Sequence, residues 1–304
     1  MCPSWMAAPP RPPNRVAINP HELRVISYLA PGLPEGLFHV VVDAVARALG
    51  MPCSVEFDAS SSGPTDDAPD PFTEGRCDAG FMCSPALLWL RRGPNPAVEL
   101  AGAALVFDDP RAKGQPVYFS DVVVATASPF GAFADLRGHT WAYNDVYSLS
   151  GYFSLLQELR RVAEDLTFFA RVVNTGSHFN SLDAIVAGQA DAAAIDSNVL
   201  ALRLRDRPEL RDRVRVIASW GPFPTPPVVL RAGLRKDLKL RLTSALLEAH
   251  RHEATRVALA RYGVLSFDAV DKGFYEAELA SLAAIPERLQ CEARDGDKST
   301  GADG

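Results

Sequence analysis

The chain has 304 residues, of which 47% are hydrophobic and 22% charged, and its formal net charge is −6 at pH 7. These values are typical of a globular protein with room for one large domain or two ordinary ones. The mildly acidic balance and the lack of a basic run argue against a nucleic-acid-binding surface. Since no run of 18 apolar residues occurs in the sequence, no transmembrane segment is predicted.

Both ends of the chain are predicted to be tails without regular structure. Residues 1–20 are rich in proline, and residues 286–304 finish in small and polar residues. The first 20 residues lack the apolar stretch that a secretory signal peptide needs. The sequence as it stands therefore indicates a cytoplasmic protein, and a periplasmic one if the start of the chain is misplaced.

Residues 22–126 alternate between strand and helix patterns. Polar and apolar residues alternate in the strand-like segments, whereas one segment repeats its apolar residues at helical spacing and stops at Gly50. This succession predicts an α/β fold with largely parallel strands. Strands are predicted at 23–29, 53–58, 78–83, 98–107 and 117–126, and helices at 35–49 and 85–91.

A second α/β unit follows from about 127 to 219, and the chain then returns to the first unit. The first lobe is therefore predicted to consist of residues 21–121 plus 225–285, with the second lobe, 122–224, inserted into it. Strands are predicted at 140–143, 168–173 and 191–195, and helices at 151–162, 179–188, after Asn198, and at 235–250, 252–262 and 268–283.

The five cysteines give no sign of a disulfide framework or a metal site. Their number is odd, no pair has C-x-x-C spacing, and no histidine lies at metal-ligand spacing from them. We therefore expect free thiols, no metal and no cofactor. The cysteines are Cys2, Cys53, Cys77, Cys83 and Cys291.

The most informative stretch is DLRGHTWAYNDVYSLSG, in which a strand-like WAY is followed by a small polar loop and then a helical pattern. Unpaired N–H groups and the helix dipole make such a helix start an anion-binding site. The alternative is that its serines only cap the helix. The residues concerned are Ser148, Leu149, Ser150, Gly151 and Tyr152.

Two further helix starts carry polar side chains. His178 is predicted to open a helix, where its imidazole would either donate a hydrogen bond to an oxyanion or face solvent. Asp196 and Ser197 end a predicted strand, which is where open α/β sheets bind ligands. A helix cap is the alternative for that pair.

Four residues at or just after strand ends are candidates in the first lobe. Tyr28 and Tyr118 would close over a ligand while offering a hydroxyl, and sheet packing is the alternative for Tyr118. Ser84 follows a predicted strand in the same way. A nucleophilic role for Cys83 is not favoured because no histidine is near it in sequence.

These motifs resemble those of the phosphate, phosphite and phosphonate substrate-binding proteins of ABC transporters, the PhnD-like group. The family patterns are L-x-G-K-x-x-A-x-x-D-x-x-S-T-S-G, then G-S-H, then V-x-x-G-x-x-D-A. The likeness covers about residues 22–285. The matching residues are Leu136, Gly138, Ala142, Asp145, Ser148, Ser150, Gly151, Gly176, Ser177, His178, Ile185, Gly188, Asp191 and Ala192.

The resemblance implies a two-lobed periplasmic-binding-protein type 2 fold. In this fold each lobe is a mixed sheet flanked by helices, and the ligand lies in the cleft between the lobes. It also implies that His178 faces the ligand, that Tyr28 and Tyr118 are pocket aromatics, and that an acid near Asp196 holds an amino group of the ligand.

The predicted function is capture of a small oxyanion (phosphonate, phosphate or phosphite) by lobe closure, for ABC-type uptake and without chemistry. The expected partner is an ABC permease if the protein is exported, and a monomer is expected. The sequence departs from the family pattern at Leu149, where the family has a hydroxyl, and at His139, where it has a lysine. The alternative is a cytoplasmic enzyme or ligand sensor on the same fold, acting on a small anionic metabolite.

Overall fold

The computed structural model describes residues 22–30, 32–59, 62–65, 70–271 and 273–285. Within them the chain forms two mixed five-stranded sheets, each covered by helices, and one two-stranded ribbon. The two-lobed α/β architecture with a mixed sheet in each lobe is thereby confirmed. The predicted tails at 1–20 and 286–304 lie outside the described residues.

Strands and helices alternate along most of the described chain. The strands are β1 (Leu23–Ser27), β2 (Cys53–Phe57), β3 (Ala79–Phe81), β4 (Val98–Leu100), β5 (Ala103–Phe107), β6 (Val117–Ala125), β7 (Thr140–Tyr143), β8 (Arg171–Asn174), β9 (Ala192–Asp196), β10 (Val214–Pro224), β11 (Val228–Arg231) and β12 (Val264–Ala269). The helices are α1 (Glu35–Leu49), α2 (Ser84–Leu90), α3 (Ser154–Arg161), α4 (His178–Val186), α5 (Ser197–Asp206), α6 (Lys236–Glu248), α7 (Glu253–Ala260) and α8 (Glu276–Ala283).

The first sheet has the order β2-β1-β3-β11-β4, and the second has the order β10-β6-β9-β7-β8. Pairing is parallel among β2, β1 and β3 and among β9, β7 and β8, whereas β11, β4, β6 and β10 pair antiparallel. The expectation of largely parallel strands was therefore wrong. The chain crosses between the sheets after β5 and again after β10; the lobe boundaries assigned from the sequence stay a prediction.

Apolar periodicity accounts for the helices that cover the sheets. In α1, Leu37, Val41 and Val45 recur on one face and are buried against the first sheet. Gly50 ends this helix in the left-handed conformation, with φ 65°, which favours glycine. No helix among the described residues has both the length and the apolar character needed to cross a bilayer.

The predicted helix at 268–283 was wrong in its first part. The segment Val264–Ala269 is a strand that pairs antiparallel with β5, and the helix begins only at Glu276. Apolar Val264 and Phe267 are buried in this ribbon, so tertiary pairing decided the conformation. The predicted helix at 151–162 is also modified, because it begins with a wide π-helical turn at Leu149–Phe153 before α3.

The topology brings five strand ends to one place. The carboxyl ends of β1 and β3 in the first sheet face those of β7, β8 and β9 in the second. Residues at these ends, or within two positions after them, line one cavity between the lobes: Tyr28, Cys83, Asn144, Gly176 and Asp196. Ligands of open α/β sheets bind at such carboxyl ends.

Candidate functional site

The cavity between the lobes has a volume of about 70 Å³. At ~15 Å³ of such volume per water molecule, that is room for about five waters. Of the candidates considered from the sequence, five line the cavity, namely Tyr28, Cys83, Ser150, His178 and Asp196. The others lie around it without lining it: Ser148, Leu149, Gly151, Tyr152, Tyr118, Ser84 and Ser197.

In the turn that begins at Ser148, most N–H groups already donate hydrogen bonds within the turn. The Ser148 hydroxyl accepts from the N–H of Gly151 at 3.1 Å, and its carbonyl accepts from Tyr152 at 3.2 Å and Phe153 at 3.0 Å. Ser148 is therefore a helix cap, as the alternative interpretation held. The Leu149 side chain packs in the hydrophobic core, so its missing hydroxyl removes no group from the cavity wall.

Ser150 is fixed from two directions. Its carbonyl accepts hydrogen bonds from the hydroxyls of Ser120 and Ser154, both at 2.7 Å. Its own hydroxyl lies 3.1 Å from Nε2 of His178. A buried serine held in this way presents its hydroxyl in one orientation to the cavity.

His178 opens α4, and Ser177 caps that helix by accepting from the N–H of Asn180 at 3.1 Å. The imidazole is only 8% exposed, and its Nδ1 atom has no hydrogen-bond partner among the described residues. Burial lowers the pKa of His178 to about 4. The ring is therefore neutral at physiological pH.

Gly151 allows the close packing between the two loops that carry these side chains. A Cβ atom at Gly151 would overlap the side-chain oxygen of Asn144 and approach Cε1 of His178 to 3.3 Å. Asn144 is 8% exposed, and its Oδ1 atom also lacks a partner among the described residues. Asn144 and His178 both line the cavity, and each has one buried polar atom without a partner among the described residues.

Asp196 serves both as a cap and as part of the cavity wall. Its Oδ1 accepts from the N–H of Asn198 at 2.8 Å and of Val199 at 3.3 Å. Burial raises the pKa of Asp196 to about 7, although these hydrogen bonds oppose the shift. Ser197 faces away from the cavity and accepts from the N–H of Phe119 at 3.2 Å.

The first lobe contributes Tyr28 and Cys83 to the wall. Burial, with the nearby Asp58 carboxylate second, raises the pKa of Tyr28, so the phenol stays protonated. Burial also raises the pKa of the Cys83 thiol to about 12, whereas a reactive cysteine needs a lowered pKa. Ser84 lies beside the buried Glu278, away from the cavity.

Tyr118 lies behind the wall rather than in it. Its side chain is 1% exposed, its ring is 6.0 Å from that of Phe223, and its hydroxyl is hydrogen-bonded to the Ser150 side chain. Burial raises the pKa of Tyr118 well above its ordinary value, so the phenol is a donor. Tyr118 therefore contacts a ligand only through Ser150.

Three contacts join the lobes at the rim of the cavity. The N–H of Ser62 donates to the Asp145 carboxylate at 2.5 Å, and the rings of Trp89 and Tyr147 meet edge to face at 5.4 Å. The Leu149 backbone N–H is hydrogen-bonded to the Cys83 thiol. The lobes are therefore in contact beside the cavity.

Sequence reasoning missed several residues of the cavity wall, among them the polar residues Asn144, Asp145 and Ser62. Asn144 directly follows a buried strand, and this position is a signal that points to the ligand edge of a sheet. Nothing in the sequence indicated which loop of the first lobe meets Asp145. The described residues that line the cavity include no lysine or arginine, so its side-chain donors are uncharged: hydroxyls, the Asn144 amide and the imidazole.

Comparison with protein families identifies the chain's relatives. The family model for the periplasmic substrate-binding protein of phosphonate ABC transporters matches residues 40–275. This confirms the resemblance inferred from the motifs, over more than half of the chain.

Solved structures share the fold at low sequence identity. A binding-protein component of an ABC phosphonate transporter from Pseudomonas aeruginosa is 17% identical, with a TM-score of 0.68, over 91% of this chain and 99% of that one. PhnD1 from Prochlorococcus marinus, in complex with methylphosphonate, is 13% identical, with a TM-score of 0.71, over 86% and 97%. A protein from Xanthomonas citri bound to ATP is 21% identical, with a TM-score of 0.63, over 89% and 98%.

Proposed function

Since this chain belongs to the family of periplasmic substrate-binding proteins of phosphonate ABC transporters, we propose that it captures a small oxyanion by closing its two lobes. The observation that carries the proposal is that the side chains of Ser150 and His178, from two helix starts of the second lobe, lie 3.1 Å apart at the cavity between the lobes. A hydroxyl and an imidazole can both donate hydrogen bonds to an oxyanion.

The size and chemistry of the cavity support a phosphonate, phosphate or phosphite as the ligand. Room for about five waters suits a small tetrahedral anion better than a nucleotide. Ser150 and His178 would bind its oxygens through neutral donors, which act strongly where water is excluded. Asp196 would hold an amino group if the ligand carried one, since a carboxylate pairs with ammonium.

Closure of the lobes on the ligand is the second part of the proposal. The Ser62–Asp145 hydrogen bond and the Trp89–Tyr147 contact each join the first lobe to the second, so both would form on closure. A ligand that contacts both walls stabilises the closed state relative to the open one. We further propose an ABC permease as the partner of the loaded protein, and a periplasmic location.

One observation bears on the enzyme alternative. Ser150 and His178 are 3.1 Å apart, which is the spacing of a nucleophile and its base. However, the pKa of about 4 makes the imidazole a weak base at neutral pH, and none of the described residues is an acid that pairs with its Nδ1 atom. These features favour binding over catalysis.

A thermal-shift screen of the purified protein tests the proposal. The panel holds phosphate, phosphite, alkylphosphonates, aminoalkylphosphonates, sulfonates and aromatic carboxylates. A ligand at 100 times its Kd adds roughly 2.7 kcal/mol of stability, a rise in Tm of several degrees. A selective rise with a phosphorus oxyanion supports the proposal, whereas a rise only with carboxylates, or with none of the panel, contradicts it.

A further inference from the structure

We propose that helix α8 links the two lobes outside the cavity, and that its hydrogen bonds to α3 stabilise the arrangement in which the lobes meet around the ligand. This inference rests on the proposed function, because it takes ligand affinity to depend on lobe closure. It assigns control of affinity to a contact surface whose residues do not line the cavity.

The start of α8 is anchored to the first lobe. Tyr275, just before the helix, is buried and donates through its hydroxyl to the carbonyl of Thr225 at 3.0 Å. The Thr225 hydroxyl in turn donates to the carbonyl of Leu105 in β5 at 2.9 Å. Glu276 pairs with Arg91, at the end of α2, at 3.1 Å. The first turn of α8 is therefore fixed on elements of the first lobe.

The end of α8 contacts the second lobe through helix α3. Nε2 of Gln157 donates to the hydroxyl of Ser281 at 3.0 Å, and Nη1 of Arg160 donates to the carbonyl of Ala284 at 2.8 Å. The two donors are three residues apart on α3 and so lie on one face of that helix. A single helix thus carries polar contacts to both lobes.

Apolar packing holds α8 in this position. Leu279, Leu282 and Ile285 are buried in a cluster that also contains Leu87 of α2 and Leu156 of α3. Burial of these side chains stabilises the packing of α8 independently of its exposed hydrogen bonds. Removal of the hydrogen bonds to α3 should therefore leave the helix folded.

The α8–α3 hydrogen bonds occur in the same structure as the contact beside the cavity, where the N–H of Ser62 donates to Asp145. A separation of the lobes that carries α3 away from α8 would break both hydrogen bonds. Contacts made only when the lobes are together raise the population of that arrangement, and with it the apparent affinity for a ligand held between them.

The test is the double variant Gln157→Ala with Arg160→Ala, titrated with methylphosphonate and with phosphite by isothermal calorimetry. Two hydrogen bonds are lost, one of them from a charged donor, so affinity should fall about three- to tenfold. The factor should be the same for both ligands, since neither side chain lines the cavity. Stopped-flow measurements should show faster dissociation of each ligand.

Two matched variants are the controls. Arg161→Ala changes the neighbouring residue of α3, whose guanidinium pairs with Glu158 of the same helix at 2.7 Å. Arg91→Ala removes an exposed ion pair of α8 that lies within the first lobe. Both should bind the two ligands as the wild type does. Ser281→Ala removes the acceptor of Gln157 with little change in packing and should show a smaller loss in the same direction as the double variant.

Urea unfolding establishes that each variant is folded before its affinity is compared. Unchanged or tighter binding in the double variant and in Ser281→Ala would overturn the inference and leave the proposed function standing. An equal loss in Arg91→Ala would also overturn it, because any loosening of α8 would then suffice. A wild-type protein that binds neither ligand would contradict both the inference and the proposed function.

Discussion

Two neighbouring loops of the second lobe each combine a helix cap with a residue that lines the cavity, but their surroundings differ. The β7 loop (144–148) and the β8 loop (175–177) each end in a serine that caps the next helical segment, Ser148 and Ser177. The cavity residue follows soon after each cap: Ser150 after the first and His178 after the second. Capping and ligand contact are thus divided between adjacent residues, and the two contact residues meet at 3.1 Å.

The loops differ in burial, and this difference predicts which substitutions affect stability. Asn144, Ser148 and Ser150 are buried, whereas Gly176 and Asn180 near the second cap are exposed. Changes in the β7 loop should therefore disturb both packing and binding. Changes at the exposed positions beside the second cap should disturb packing less.

The largest effect is expected for Gly151→Ala, which breaks the contact between the loops. The new methyl group would overlap the Asn144 oxygen and crowd His178. Overpacking of this kind destabilises by ~1–3 kcal/mol, and binding of methylphosphonate should be lost. Thermal unfolding and calorimetry measure both effects. Gly131→Ala is the matched control, since its nearest neighbour would be at 3.7 Å, and a similar loss there would refute the explanation.

A third helix start, at α5, differs from these two because its capping residue, Asp196, is a carboxylate that itself lines the cavity. With its pKa raised to about 7, Asp196 is neutral below that pH and ionised above it. Affinity for an oxyanion without an amine should therefore fall as pH rises through neutrality, by about tenfold, from charge repulsion.

Asp196→Asn is the control for this pH dependence. Asparagine keeps the cap and cannot ionise, so the ligand's own titration alone remains. The difference between the two pH profiles of methylphosphonate affinity isolates Asp196. Identical profiles for the wild type and the variant would contradict a role for this carboxyl.

Ser150→Ala tests the contact residue of the β7 loop. Loss of the hydroxyl removes both a cavity donor and the hydrogen bond that orients His178, so affinity should fall at least several-fold. The fold should persist, because the bonds to the Ser150 carbonyl remain. His178→Ala should behave likewise. Unchanged affinity in both variants would refute the binding role of this pair.

The smallest effect on affinity is expected for the caps. Ser148→Ala and Ser177→Ala should each lower stability by ~1 kcal/mol, the usual penalty for losing a serine cap. Urea unfolding measures this loss, and calorimetry should show a smaller change in affinity than for Ser150→Ala. The opposite ranking would mean that the capping serines, rather than the residues after them, contact the ligand.

Local patterns predicted most of this architecture. The strand–loop–helix succession around Ser148 and His178 was recognised because small polar residues and apolar periodicity are local signals. The strand at Val264–Ala269 was missed because its pairing with β5 is a long-range contact.

The cavity wall was predicted less completely, for a similar reason. His178 was chosen from its position at a helix start, but its burial depends on packing between both lobes. Tyr118 was expected in the pocket, whereas the structure places it behind Ser150. The Ser62–Asp145 contact joins segments 83 residues apart, and no local pattern indicates such a meeting.

The most direct test of the central claim is a crystal structure of the protein with methylphosphonate. The account predicts the phosphonate in the cavity between the lobes, with at least one oxygen within hydrogen-bonding distance of the Ser150 hydroxyl or the His178 imidazole. A ligand bound elsewhere, or one that contacts neither side chain, would contradict it.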